Sequence, residues 1–464
     1  MVLVLVGVLL LLMALEFPVA FAMTGASAVY ILLQGGIPLV VMAQRVTVGV
    51  DSFVLLAIPF FFLAGELMNQ GGITKRLIDL AQALVGGIRG GLGHVTVVTN
   101  MIMAGMSGSA VADATGTGAV LIPAMERAGY PRIFSAALVG AASTIGPVIP
   151  PSIPFVIYGG ITGVSVGRLF LGGVIPGVLM GLFMMGAVYV VARRRGYRAE
   201  GWLTLSEALR NIWRAIPVML FPVIILGGIF SGIVTPTEAA VIAVVYAAIL
   251  AILVYRELSL RKLVDVLTTV ARNTAKITFI IASASLYGWL LAREGVPQLF
   301  TGFFLSISRE PWVILLMVNM LLLVLGSLME TTAILVILTP VLMDLITKVG
   351  IDPVHFGVVL TLNLMIGLLT PPVGMVLYVM VSLAKVSVTE FTRECAILWG
   401  GDPGGRGPGV GDRGRYCLSP GPRTQDAGVV VVGCSKLSEE ETWRRRWSAS
   451  SASASWAGAW PRTF

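Results

Sequence analysis

Four short segments of this 464-residue chain carry the residue types that could hold a small ion. Two are rich in Gly, Ser and Thr: MAGMSGSAVADATGTG (103–118) and LGSLMETTA (325–333). Each is followed by a proline-broken apolar segment, ASTIGPVIPPSIPFVIYG (142–159) after the first and NLMIGLLTPPVG (363–374) after the second. Pro147, Pro150 and Pro151 remove backbone donors and forbid a continuous helix, as Pro371 and Pro372 do in the second copy. Carbonyls freed in this way at bilayer depth are tolerated only where they line a cavity or meet a ligand. A Gly/Ser tip facing such a break therefore suits a desolvated cation. Ser107, Gly108 and Ser109 offer oxygens from the first tip, and Thr144, Ile145 and Gly146 from the first break. Gly326, Gly367, Thr370 and the Val373 carbonyl repeat the set. A donor set made only of oxygens fits Na⁺. Half-helix N-termini at the same breaks present positive dipole ends, which can hold a carboxylate although neither tip contains Arg or Lys.

Gly and Ser in apolar segments more often let helices pack closely than bind anything. What favours a site is that the pattern occurs twice with paired prolines. Glu66, Asp113, Glu238 and Glu330 are acids within apolar surroundings and so are functional candidates, although Glu66 and Glu238 also suit helix ends. His94 and His355 read as structural.

These segments need a membrane around them. The chain is 56% hydrophobic and only 12% charged, against roughly 25% charged in a soluble domain. It reads as an all-α polytopic membrane protein, with spans near 1–15, 17–33, 52–69, 131–160, 169–192, 215–231, 236–255, 273–291 and 354–382. Two further stretches, about 91–127 and 311–347, are too long for one span and break at the middle, as re-entrant helical hairpins would. The N-terminal run MVLVLVGVLLLLMALEF has no basic n-region or cleavage site and reads as a mature span. Three cysteines and two distant histidines argue against a disulfide framework, a zinc centre or a His-based triad. The net charge of +8 sits in short clusters between apolar runs, so it indicates orientation in a membrane and no nucleic-acid partner.

Arg193, Arg194, Arg195, Arg198, Arg210 and Arg214 are read as one loop, and Arg256, Arg261, Lys262 and Arg272 as the loop two spans later; both should be cytoplasmic. Counting spans outward places Lys75, Arg76 and Arg89 on the same side. The first hairpin then enters from the cytoplasm and the second from the far side. LIPAMERAGYPRIF (121–134) answers to LTPVLMDLITKVGIDPVHF (338–356), and GPVIPPSIPFVIY (146–158) to GLLTPPVGMVLY (367–378), at an offset of about 220. FFLAGELMNQGGITKRL (61–77) likewise answers to ASLYGWLLAREGVPQLF (284–300). Opposite orientation of two similar halves is an inverted-topology repeat, with two re-entrant hairpins and two broken helices. The halves are 1–192 and 215–399, joined by a cytoplasmic linker at 193–214.

The stretches FPVAFAM, DSFVLLAIPFFFLAGELMNQGGITKRLIDLAQALVGGIRGGLGHV, SGSAVADATGTGAVLIPAMERAGY, STIGPVIPPSIPFVIYGG, TPTEAAV and GIDPVHFGVVLTLNLMIGLLTPPVG resemble the large membrane subunit of tripartite ATP-independent periplasmic (TRAP) transporters of the C4-dicarboxylate type. The resemblance runs nearly throughout residues 1–395. It implies a Na⁺-coupled elevator transporter, not an enzyme, with no cofactor beyond Na⁺ as coupling ion. It further implies a multi-pass protein of a bacterial inner membrane, a small four-helix membrane subunit as partner, and a periplasmic binding protein that delivers an organic acid. The acid would meet Ser107, Ser109, Pro150 and Ser152 of the first half and Glu330, Thr331, Pro371 and Pro372 of the second.

Residues 400–464 depart from that pattern. They begin GGDPGGRGPGVGDRGR, end SASSASASWAGAWPRTF and have no periodicity that would bury a helix face, so disorder is expected. A frame shift in a GC-rich gene gives such a composition and would cost the last span. Two rival readings are a stand-alone Na⁺/divalent-anion symporter, which shares the hairpin logic, and an intramembrane hydrolase around Ser107 and Ser109. The hydrolase lacks a His or Lys base at fitting spacing.

Overall fold

In a bilayer every backbone polar group must find its partner within the protein, and this chain meets that demand with helices alone: among the described residues there is no strand. The computed structural model describes residues 1–197 and 201–398, Ile397 by its backbone only. The readings made for 400–464 therefore lie outside the described residues.

Three helices lead, α1 (Val2–Ala14), α2 (Val19–Gln34) and α3 (Val40–Val50). A 3₁₀ turn at Phe53–Leu56 then opens α4 (Ala57–Gln70), followed by α5 (Ile73–Val85). The first hairpin is α6 (Gly91–Ser107) and α7 (Ala110–Arg127). The first broken helix is α8 (Arg132–Ser143) and α9 (Ile153–Thr162), and α10 (Val166–Arg195) closes the half. Two connecting helices follow, α11 (Leu205–Phe230) and α12 (Pro236–Ala248), the latter extended by a π-helical turn at Ile249–Val254. The series then repeats as α13 (Leu260–Arg293), α14 (Val296–Ile307), the hairpin α15 (Pro311–Leu328) and α16 (Thr331–Val349), the broken helix α17 (Pro353–Gly367) and α18 (Met375–Ala384), and α19 (Val388–Leu398). Among the described residues seven helices are long and apolar enough to cross a membrane, or eight if the bent pair α18–α19 counts as one span.

The two series match at their punctuation. Left-handed glycines cap α5 and α14 at Gly72 (φ 71°) and Gly295 (φ 70°), a conformation glycine adopts without a Cβ penalty. Ser165 accepts from the Arg168 amide at the start of α10, and Ser387 accepts from the Glu390 amide at the start of α19. Pro123 and Pro340 sit inside the second arm of each hairpin.

Packing between the halves is exchanged. The α9 piece of the first broken helix lies on α16, where the Tyr158 hydroxyl donates to the Pro353 carbonyl at 2.8 Å and touches Met343 Sδ at 3.3 Å. The α18 piece of the second lies on α7, with Leu383 and Met380 against Gly118. Likewise α10 packs on α17 and α19 on α8. Arg195 at the end of α10 is hydrogen-bonded to Glu394 of α19, a pair whose side chains are 16% and 8% exposed.

Some elements differ from the sequence reading. Arg210 and Arg214 stand in α11, and Arg261, Lys262 and Arg272 in α13, so both basic loops are shorter than read. The reason is that basic side chains end an apolar run without ending a helix, and α13 continues unbroken for 34 residues. The amphipathic helices α3, α5 and α14 were not read at all. At 11 to 13 residues they fall below the length of a span.

Candidate functional site

Each hairpin tip sits on the break of its own half. At the first tip the chain turns through Gly108 in the left-handed region (φ 61°) and restarts at Ser109, whose hydroxyl caps α7 by accepting from the Ala112 amide. A Cβ on Gly108 would stand 2.5 Å from the Pro151 carbonyl oxygen, so the tip touches the break directly. Within the break, Ser152 caps α9 by accepting from the Phe155 amide and donates to the Pro147 carbonyl. At the second tip the Val373 amide donates to the Ser327 carbonyl at 2.9 Å. There Gly326 and Gly367 bring their backbones together: a Cβ on Gly367 would lie 2.7 Å from the Gly326 carbonyl carbon and oxygen.

The oxygen donors nominated from the sequence are thus gathered in two groups, one per half. In the first, Thr144 donates its hydroxyl to the Ala141 carbonyl, and the Ile145 carbonyl already accepts from the Val148 and Ile149 amides. The decisive member of that group is Asp113. Its carboxyl is fully buried, one oxygen accepts from the Ser107 hydroxyl, and the other has no hydrogen-bond partner. That second oxygen lies against Gly146, 2.3 Å from where a Cβ would be. A buried carboxylate oxygen without a partner is costly, and a cation between tip and break would satisfy it. In the second group the Gly367 and Thr370 carbonyls accept from the Thr370 and Gly374 amides, each keeping a second lone pair, and no carboxylate takes the place of Asp113. Val373 stands 44% exposed.

The tips also share one cavity of about 970 Å³, lined by Ser107, Gly108 and Ser109 from the first and Glu330, Thr331 and Thr332 from the second. Of the residues expected to meet an organic acid, Ser107, Ser109, Glu330 and Thr331 line it. Pro150, Ser152, Pro371 and Pro372 do not: Pro150 and Ser152 are buried at the first break, where the Ser152 hydroxyl is spent on the backbone, and Pro372 is exposed at the second.

Among the other elements that line the wall, two add polar side chains with carboxylate, amide or ammonium groups. From α4 come Glu66, Asn69 and Gln70, and from α13 come Thr269, Asn273 and Lys276. The α13 residues recur at helical spacing and so share one face. Lys276 brings a cation to a site whose tips have none, in the cavity that Glu330 also lines. Sequence reading missed it because it follows Arg272 by one turn and passed as the edge of a basic loop. The polar stripe within an otherwise apolar helix was the available signal. Glu238, by contrast, is exposed and closes a capping box on Thr235 at the start of α12.

Residues 6–397 match the family model described as the DctM component of tripartite ATP-independent periplasmic transporters. The chain is 43% identical over 376 residues to the sialic acid TRAP transporter large permease protein SiaM of Vibrio cholerae, covering 81% of this chain and 88% of that protein. It is also 43% identical over 349 residues to the C4-dicarboxylate TRAP transporter large permease protein DctM of Pseudomonas aeruginosa, covering 75% and 82%. The 2,3-diketo-L-gulonate large permease protein YiaN of Escherichia coli is 40% identical over 392 residues, covering 84% and 92%. Among solved structures, the Alcanivorax borkumensis YdaH transporter superposes with a TM-score of 0.54 at 16% identity, over 77% of this chain and 85% of that one, a likeness of fold. With paired hairpins, paired breaks and relatives of this closeness, the chain belongs to the large permease (DctM) family of tripartite ATP-independent periplasmic transporters.

Proposed function

We propose that this permease imports an organic acid into the cell, driven by Na⁺ and moving substrate and ions together in an elevator-type step. A small membrane subunit would pack beside it, and a periplasmic binding protein would deliver the acid. The observation that carries the reading is the buried, half-satisfied carboxylate of Asp113 between the first tip and Gly146. It supplies the negative charge a bound Na⁺ would neutralise, beside Ser107, Gly108, Ser109, Thr144 and Gly146, with Ile145 as a weaker donor. A second Na⁺ would rest on the neutral oxygens of Gly326, Gly367, Thr370 and Val373. The acid would occupy the cavity that both tips line, which is of a size usual for small-molecule sites, roughly 300–1,000 Å³.

Relatives named for sialic acid and for C4-dicarboxylate match at the same 43% identity, so the proposal extends to organic acids as a class and does not single out C4-dicarboxylates. The test is uptake by proteoliposomes holding both membrane subunits, with and without binding protein and an inward Na⁺ gradient. Uptake that needs both is the expected result. Uptake indifferent to Na⁺ would remove the ion from the mechanism, and uptake without the binding protein would favour a stand-alone symporter.

A further inference from the structure

The ionisable side chains in the cavity wall are few and unequal in sign: Glu66 and Glu330 against Lys276. Among the described residues Lys276 makes no hydrogen bond and no ion pair, although it lines the same cavity as Glu330. Glu330 caps no amide with its side chain, and Asn273, Thr331 and Thr332 are equally uncommitted. The wall therefore offers one free ammonium, one free carboxylate and a set of free hydroxyls and amides. Apolar flanks come from Phe62, Ile277 and Met365.

We infer that Lys276 is the counter-charge for the single carboxylate of a hydroxyl-bearing acid, and that Glu330 accepts hydrogen bonds from the hydroxyls of that acid. This rests on the transport reading above and narrows its substrate. Donors and acceptors must balance across the wall. An ionised carboxylate only accepts; Glu66 already takes a hydrogen bond from the Gln70 amide at 3.1 Å, which leaves Glu330 to be met by donors. A polyhydroxylated monoacid brings donors at one end and one negative charge at the other. An unsubstituted dicarboxylate brings no donor, and its second charge would face Glu330 or Glu66 unpaired, which like-charge juxtaposition penalises. Of the proposed Na⁺ donors Ser107, Gly108 and Ser109 line the wall while Thr144, Gly146, Gly367 and Thr370 do not, so Lys276 is the cationic side chain that the wall itself supplies.

The complex of large and small subunits, purified in sodium chloride, is titrated with D-gluconate and with succinate, following thermal stability and bound radioligand. Gluconate should bind more tightly than succinate. Lys276→Met should weaken gluconate roughly 10- to 100-fold, the usual loss for a hydrogen bond to a charged group, and Lys276→Arg should restore most of it. Glu330→Gln should narrow the difference between the two acids. Succinate binding as tightly as gluconate, or gluconate binding unmoved by Lys276→Met in a complex of unchanged thermal stability, overturns the inference. Binding is read separately from transport: loss of Na⁺-dependent uptake in the unaltered complex would refute the transport reading alone, while Lys276-independent binding would refute this one alone.

Discussion

Replacing Gly367 by alanine tests whether the second tip seals on its break. The added methyl would stand 2.7 Å from the Gly326 carbonyl carbon and oxygen and 2.8 Å from Gly326 Cα, all of them backbone atoms. Carbon atoms rest at about 3.5–4.0 Å, so hairpin and broken helix must part by roughly 1 Å or the methyl must stay in collision. Overpacking of this kind costs about 1–3 kcal/mol. If the separation falls on the proposed ion site, the same energy corresponds to a half-saturating Na⁺ concentration raised roughly 5- to 150-fold. Gly146→Ala is the matched substitution in the first half. Its methyl meets the Asp113 carboxyl oxygen at 2.3 Å and a backbone atom, the Ser143 carbonyl oxygen, only at 3.1 Å, so the carboxyl can turn aside and stability should fall less. Gly302→Ala in α14 is the control: nothing lies within 4 Å, and a helical alanine in place of glycine stabilises by about 0.5–1 kcal/mol. Thermal unfolding of the purified complex, with uptake against a Na⁺ series, reads all three. A Gly367→Ala protein with unchanged melting temperature and unchanged Na⁺ dependence would show that tip and break are not pressed together, and the site geometry argued above would be wrong.

Asp113→Asn should raise the half-saturating Na⁺ concentration more than Ser107→Ala, Ser109→Ala or Thr370→Ala, since only it removes a charge; equal effects in uptake assays would reduce Asp113 to packing. Cysteines at Glu257 and at Thr204 should resist impermeant thiol reagents in intact spheroplasts, as the basic clusters argue, and labelling of either would reverse the topology. Glu394→Ala should cost about 3–5 kcal/mol, the usual loss when a buried ion pair is broken and Arg195 is left uncompensated; a melting temperature close to that of the unaltered protein would contradict this.

The hairpins and breaks were legible because each is written in residues that leave the backbone little choice. Gly108 turns a tip, Pro147, Pro150 and Pro151 stop a helix, and the same devices recur one repeat later. Helix ends among basic residues were not legible, because Arg261 and Arg272 are compatible with both a loop and the watery end of a long helix. The proposed ion donors sit at the tips and breaks and could be nominated from the chain, but the Asp113 oxygen against Gly146 could not. Nor could the cavity wall. Asn69 and Lys276 are 207 positions apart (276 − 69), and only the packing of α4 against α13 brings them to one surface. The prolines were expected to meet substrate because they mark the breaks. Pro150, Pro371 and Pro372 do not line the cavity: Pro150 is buried at the first break, and Pro371 and Pro372 stand half-buried and exposed at the second.

The exchanged packing of the two halves has a mechanical consequence. With α18 seated on α7 and α9 on α16, a hairpin that travels in the proposed elevator step is expected to carry the broken helix of the opposite half. If that step moves these four elements together, both candidate ion positions ride in one block while α4 and α13 supply the facing wall of the cavity, and the ratio of ions to substrate would be set by what fills the block before it moves. Slippage, the passage of one cargo without the other, becomes a matter of whether a half-filled block can cross the bilayer, and the uncovered charge of Asp113 is a reason for it to stall. A disulfide across Gly118→Cys and Leu383→Cys, which joins elements of that block only, should leave transport running, and a block on transport would show that α7 and α18 move apart during the cycle.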